Sequence, residues 1–156
     1  MRVEEIMKRP VVTCRVDDTL NTAARLMWEN DCGAVPVLGE DGAVVGMITD
    51  RDICMAAYTQ GTALGAIPVC VAMSREVFSC HPDDPTIEVE RLMQEKQVRR
   101  MPVVDPQGRP IGILSLNDLA REAARATARR TGGAGVDVLR TLAAIGEPRA
   151  RRLHAA

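Results

Sequence analysis

Apolar and polar positions along this chain change period in a fixed order, and the order runs through twice. In the first pass Val11-Val12-Thr13 reads as a short strand, and Asp17-Asp18-Thr19 supplies turn and helix-cap chemistry. Leu20, Ala23, Ala24, Met27 and Trp28 then keep helical spacing. Two strands follow, Ala34 to Leu38 and Val44 to Ile48, on either side of Glu40-Asp41-Gly42, a hairpin signal in which glycine makes a positive φ cheap. A second helix is expected from Asp50 or Arg51 to about Tyr58. The second pass repeats strand (Val77-Phe78-Ser79), helix (Ile87, Val89, Leu92, Met93), strands (Met101 to Val104, Ile111 to Leu114) and helix (from Leu116). Each pass is β-α-β-β-α.

The two passes are copies. Residues 7–53 return at 73–119 with a constant offset of 66 and no gap. Met7 meets Met73, Cys14 meets Cys80, Arg25-Leu26-Met27 falls on Arg91-Leu92-Met93, Pro36-Val37 on Pro102-Val103, and Asp52 on Asp118. A three-stranded unit of about fifty residues cannot cover both faces of its own sheet, so the copies are expected to pack together about an approximate two-fold axis. The expected fold is α/β (α+β): a first unit at 1–60, a linker at 61–69 containing Gly61, Gly65 and Pro68, a second unit at 70–131, and a basic helical tail at 132–156. In that tail Val136, Leu139, Leu142, Ala143 and Ile145 form an apolar stripe that needs a partner.

Composition narrows the function classes. At 156 residues the chain can bury a core without staples. Its five cysteines form an odd set with no C-x-x-C, and only two histidines are available to join them as ligands, so no structural zinc site is expected and a reduced, cytoplasmic setting is. Neither a leader-like apolar segment nor a membrane span of ~18 apolar residues is visible. One Trp, one Tyr and one Phe leave no stacking platform for single-stranded nucleic acid. The net charge of −1 hides an acidic body and a basic tail, with eight arginines after residue 119 against Glu122, Asp137 and Glu147. A nucleic-acid role for that tail is disfavoured against a merely solvated Arg-Ala helix.

Candidate chemistry sits at one place in each copy. A strand ends in a hydroxyl residue and an aspartate follows three positions later, as Thr49-Asp50-Arg51-Asp52 and Ser115-Leu116-Asn117-Asp118. Such a pattern is a capping box. The same helix N-terminus, with free N–H groups and a positive dipole end, also suits a phosphate, and a carboxylate suits the two hydroxyls of a ribose. Spacing alone leaves both readings open. No catalytic set emerges, because a triad needs a histidine and His81 and His154 have no such context. Cys14 and Cys80 read as small buried hydrophobes, and Trp28, opposite Gln94 in the second copy, suggests an apolar contact that a dimer mate or the core could supply.

The runs Gly33-Ala34-Val35-Pro36-Val37 to Gly46-Met47-Ile48-Thr49-Asp50-Arg51-Asp52-Ile53, and Val98-Arg99-Arg100-Met101-Pro102-Val103 to Gly112-Ile113-Leu114-Ser115-Leu116-Asn117-Asp118-Leu119, resemble tandem CBS domains over residues 3–120. The resemblance implies a non-catalytic module, commonly a homodimer, that binds adenosine-containing ligands (AMP, ADP, ATP, S-adenosylmethionine, sometimes NAD) in two clefts between its units. Carried over by residue, one cleft would use Thr49, Asp52, Met47, Met73, Phe78, Val98 and Arg99, with Arg51 and Arg100 as further cationic contacts. The other would use Ile113, Ser115, Asp118, Met7, Val12, Cys32 and Gly33. In the family the hydroxyl residue meets phosphate, the aspartate meets ribose and apolar residues meet adenine. Because Arg99 and Arg100 stand where the first copy has Gly33 and Ala34, the Thr49/Asp52 cleft is expected to be the better phosphate site. Phe78, where the first copy has Val12, either stacks on the base or fills the pocket. The expected role is a regulatory sensor with an unknown downstream protein and no catalytic cofactor. The alternative is a structural or interaction module whose T/S-x-x-D motifs are only caps and whose tail contacts a protein or nucleic acid.

Overall fold

The computed structural model describes residues 1–131 together with 141, 142 and 145. After a 3-10 turn at Val3–Glu5, the first copy folds as β1 (Cys14–Arg15), α1 (Leu20–Glu29), β2 (Ala34–Leu38), β3 (Val44–Thr49) and α2 (Asp50–Gln60). A second 3-10 turn, Leu64–Ala66, and the short α3 (Val69–Ala72) lead into α4 (Thr86–Lys96), β4 (Arg100–Val104), β5 (Pro110–Ser115) and α5 (Leu116–Thr131). The expected helical tail lies outside the described residues except for 141, 142 and 145, which are helical and exposed.

Local chemistry explains the boundaries. Thr19 caps α1 by accepting the Thr22 N–H at 3.2 Å, and the helix buries Leu20, Ala23 and Met27. Gly61 ends α2 and Gln97 ends α4, both left-handed. Each hairpin turns at a glycine with positive φ, Gly42 at 82° and Gly108 at 76°. Both hairpins keep one register, Pro36 opposite Met47 and Pro102 opposite Ile113. Both shift it at equivalent positions, between Val37 and Leu38 and between Val103 and Val104.

The first strand of each copy is shorter than expected and falls later. Residues 11–13 form no strand; the parallel pairing with β2 is made by Cys14 with Val37 and Arg15 with Leu38. Its counterpart is a single bridge, Cys80 with Val103. Val11 and Val12 instead line the cleft described below, so only the residues beyond them lie alongside β2.

Two cores form, and each borrows from the segment that precedes the other copy. The first gathers Leu20, Val35, Val37 and Ile48 with Ile67, Val69 and Met73. Part of the segment expected to be a linker is therefore packed: the Leu20 N–H donates to Ile67 O and the Val69 N–H to Asp18 O, both at 2.8 Å. The second core gathers Val89, Met93, Met101, Val103 and Leu114 with Val3, against which Ile6 and Met7 pack. Val3 donates its N–H to Asp84 O at 3.1 Å, and the Thr86 N–H donates to Met1 O at 3.2 Å. Ser74 then pairs antiparallel with Met47 on β3, and Lys8 with Ile113 on β5. These crossed straps fix the two units against each other and carry residues of one copy to the cleft face of the other.

Candidate ligand clefts

Each candidate site is built on a strand-to-helix turn. At the end of β3 the Thr49 N–H and hydroxyl donate to Asp52 Oδ2 at 2.9 and 2.6 Å, and the Asp52 N–H donates to Thr49 Oγ1 at 3.2 Å. At the end of β5 the Ser115 N–H donates to Asp118 Oδ2 at 2.8 Å, the Ser115 hydroxyl donates to the same oxygen, and the Asp118 N–H donates to Ser115 Oγ at 3.3 Å. Both motifs are thus complete capping boxes, in which hydroxyl and carboxylate satisfy two of the free N–H groups at the helix start. The capping reading therefore holds at both sites. Capping leaves the other carboxylate oxygen for a second task.

The two aspartates differ in what that oxygen does. Asp118 is 3% exposed, and its Oδ1 accepts from Arg121, three residues along α5. Asp52 is half-buried and makes its cap through Oδ2 alone. Met55 occupies the position equivalent to Arg121.

A cavity of about 620 Å³ opens between the units beside Ser115 and Asp118. Val12, Cys32 and Gly33 reach it from the first copy and Ile113, Ser115 and Asp118 from the second, so six of the seven residues carried to this cleft meet there. Met7 does not border it; its sulfur packs against Gly112. Lys8 and Arg100 bring positive charge to the wall, and Asp31 and Asp50 bring negative charge. Ala24, Met27 and Ile53 add apolar surface, and Ile145 borders the rim. Burial pushes the Cys32 thiol up from its ordinary range, while the nearby Arg100 and Lys8 pull it partly back. Gly33 keeps the wall thin, since a β-carbon there would lie 2.9 Å from Asp50 Oδ2.

Around Thr49 and Asp52 the expected residues divide differently. Met73 is buried against Gly46, and Met47 exchanges backbone hydrogen bonds with Ser74 at 2.9 Å. Val98 and Phe78 pack against the second core, and the Lys96 ammonium stands 5.5 Å from the centroid of the Phe78 ring. Arg51 and Arg99 are exposed, the latter accepting the Leu116 N–H at its carbonyl. Arg100, expected beside Thr49, lines the Ser115 cavity instead. Arg99 lies in the bend just before β4, whereas Arg100 is the first residue of that strand. Lys8, Asp31, Asp50 and Arg121 were not singled out from the sequence. The signal was the mismatch between copies at those positions, where Asp50 faces Leu116 and Arg121 faces Met55 in the alignment.

Among the described residues no group of three or more His, Cys, Asp or Glu is placed to hold a metal ion, and no helix is long and apolar enough to cross a membrane. The CBS domain family profile matches residues 3–58 and again residues 64–125. The CBS domain-containing protein YhcV of Bacillus subtilis (strain 168) is 40% identical over 118 residues, covering 76% of this chain and 82% of that protein. The homoserine O-acetyltransferase of Methanococcoides burtonii is 33% identical over 119 residues, which make up 76% of this chain and 23% of that protein. Among solved structures, the CBS domain pair of protein MJ0100 in complex with 5′-methylthioadenosine and S-adenosyl-L-methionine has a TM-score of 0.73 at 26% identity, covering 81% of this chain and 98% of that one. Two matched units, a shared fold and a duplicated strand-to-helix cap place this chain in the CBS domain family, as a tandem pair.

Proposed function

We propose that this protein is a regulatory sensor that binds an adenosine-containing small molecule between its two CBS units and transmits occupancy to a partner. The observation that carries the reading is the cavity of about 620 Å³ beside Ser115 and Asp118, shared by both units and furnished with Lys8 and Arg100. Its volume falls within the ~300–1,000 Å³ of small-molecule sites, and its lining, in which charged and polar groups share the wall with apolar ones, suits a ligand that joins an apolar ring to polar or charged groups. The solved relative bound to S-adenosyl-L-methionine and 5′-methylthioadenosine supports the ligand class.

In this reading Val12, Ile113 and their apolar neighbours take the base, Ser115 and the start of α5 take a polar or anionic group, and Lys8 and Arg100 complement negative charge. At the other cleft Thr49, Asp52, Met47, Met73, Phe78, Val98, Arg99 and Arg51 play the corresponding parts, with Asp52 accepting ribose hydroxyls. AMP, ADP and ATP are the proposed nucleotides, with S-adenosylmethionine and NAD as further candidates. A ligand gripped by residues of both copies stabilises one mutual arrangement of the units, and that differential affinity is the signal. The chain acts as a homodimer and performs no chemistry of its own.

Thermal denaturation with each ligand at saturating concentration tests the reading. A ligand at about one hundred times its Kd stabilises the folded state by about 2.7 kcal/mol and raises Tm accordingly. An unchanged Tm with AMP, ADP, ATP, S-adenosylmethionine and NAD alike would favour the purely structural module.

A further inference from the structure

Both caps are alike up to one residue. Asp118 Oδ2 takes the hydrogen bonds of Ser115, as Asp52 Oδ2 takes those of Thr49, but Asp118 Oδ1 is held by the Arg121 guanidinium. The pair is well shielded from solvent, with side-chain exposures of 14% for Arg121 and 2% for Asp118. A shielded charge-assisted bond of this kind is among the stronger polar contacts a protein makes. A ribose that bonds Asp118 through both hydroxyls must compete with it. In the first copy Met55, half exposed and without charge, replaces the competitor.

We propose that Arg121 is a specificity-determining residue of the Ser115 cleft: by occupying Asp118 Oδ1 it weakens ribose recognition there, so the two clefts bind ribosides unequally and the Thr49 cleft is the stronger ribose site. The inference rests on the adenosine-ligand reading and goes beyond it in ranking the clefts by a residue outside the duplicated cap. Binding in the Ser115 cleft then depends mainly on groups that Lys8, Arg100 and the start of α5 can hold, and less on the sugar.

Adenosine is the suitable probe, because it carries the ribose diol without a phosphate that the arginine itself would attract. Titrations would use the full chain carrying Asp52→Asn, which keeps one cap acceptor and silences the Thr49 cleft, with and without Arg121→Met. Arg121→Met is expected to tighten adenosine binding at least about tenfold, the range for hydrogen bonds to a charged group. That gain should vanish with 2′,3′-dideoxyadenosine, which a change in packing alone would not produce. The mirror substitution Met55→Arg, in the otherwise unaltered chain, is expected to weaken adenosine binding by a similar factor. It removes no partner from a buried charge, so it decides the question if Arg121→Met fails to fold. AMP binding with adenosine affinity unmoved by either arginine change overturns the inference and leaves the ligand reading standing. No binding of adenosine, AMP or S-adenosylmethionine by any form overturns both.

Discussion

The sulfur of Met73 lies 2.7 Å from the position a β-carbon on Gly46 would occupy, and Met7 repeats the contact at Gly112 in the second copy. Each methionine belongs to a strap that crosses to the other unit, and each glycine lies on the strand the strap pairs with. The absence of a side chain lets the strap backbone approach, with Ser74 O 2.9 Å and Lys8 O 3.2 Å from the same imaginary carbons. Gly46→Ala therefore meets backbone as well as a flexible sulfur and is expected to cost about 1–3 kcal/mol of stability, as overpacking does. Gly112→Ala, with more room at the backbone, should cost less. Urea denaturation of the two variants measures the order, and equal, negligible losses would show that the straps do not fix the units.

Asp118 and Asp52 should differ in structural weight as well as in ligand affinity. Removing Asp52 by alanine takes away a half-buried cap and is expected to cost about 1 kcal/mol. Removing Asp118 takes away the cap and the carboxylate that Arg121 pairs with in a buried setting, and should cost roughly 2–4 kcal/mol. Chemical denaturation of the two unliganded variants compares them; the reverse order would mean that Arg121 finds an equivalent partner when Asp118 is gone.

Thiol reactivity follows burial. Desolvation, reinforced by Asp18 and Asp84 respectively, pushes Cys14 and Cys80 from 9.0 to about 12. Neither is a thiolate at neutral pH, so both should resist alkylation in the folded state while exposed Cys54 reacts. A thiol with a raised folded value binds its proton more tightly folded than unfolded. Stability is accordingly complete below pH 9 and falls as pH rises from 9 toward 12, by up to about 1.4 kcal/mol per unit for each thiol. Alkylation mapped by mass spectrometry, and denaturation at pH 8 and 10.5, check both statements.

Tyr58 and Trp28, 81% and 75% exposed, stand with Met55 on α2 and α1, and these helices pack against each other. Tyr58 and Met55 offer apolar surface to the proposed homodimer, while Trp28 also borders the Ser115 cavity. Tyr58→Glu is expected to shift the protein toward monomer in sedimentation velocity with the thermal transition retained. An unchanged dimer would place the interface elsewhere.

Much of this arrangement was legible in the sequence because the repeat is ungapped. One copy predicts the turn, cap and hairpin of the other, and Gly42 and Gly108, or Thr49 and Ser115, behave as the pairing implies. The crossed straps were not legible. Val3, Ile67 and Val69 read as apolar at the edges of the units, and periodicity says that such residues are buried without saying in which core. The strand expected at residues 11–13 failed for a related reason: β-branched residues suit a cleft wall as well as a ladder. The placement of Arg100 turned on where β4 begins: Arg99 lies in the bend before it and Arg100 opens it, a boundary that the apolar run starting at Met101 does not mark. The role of Arg121 needed coordinates, since a helix places it next to Asp118 but only burial makes that contact matter.

The central claim is that the clefts bind an adenosine-containing ligand. Calorimetric titration of the purified, nucleotide-free protein with S-adenosylmethionine, AMP and ATP, beside Asp52→Ala and Asp118→Ala, tests it most directly. The account predicts micromolar binding by at least one ligand, about −8 kcal/mol, abolished by one aspartate substitution in a protein that remains folded. No heat with any of the three would contradict it, leaving Thr49/Asp52 and Ser115/Asp118 as helix caps alone.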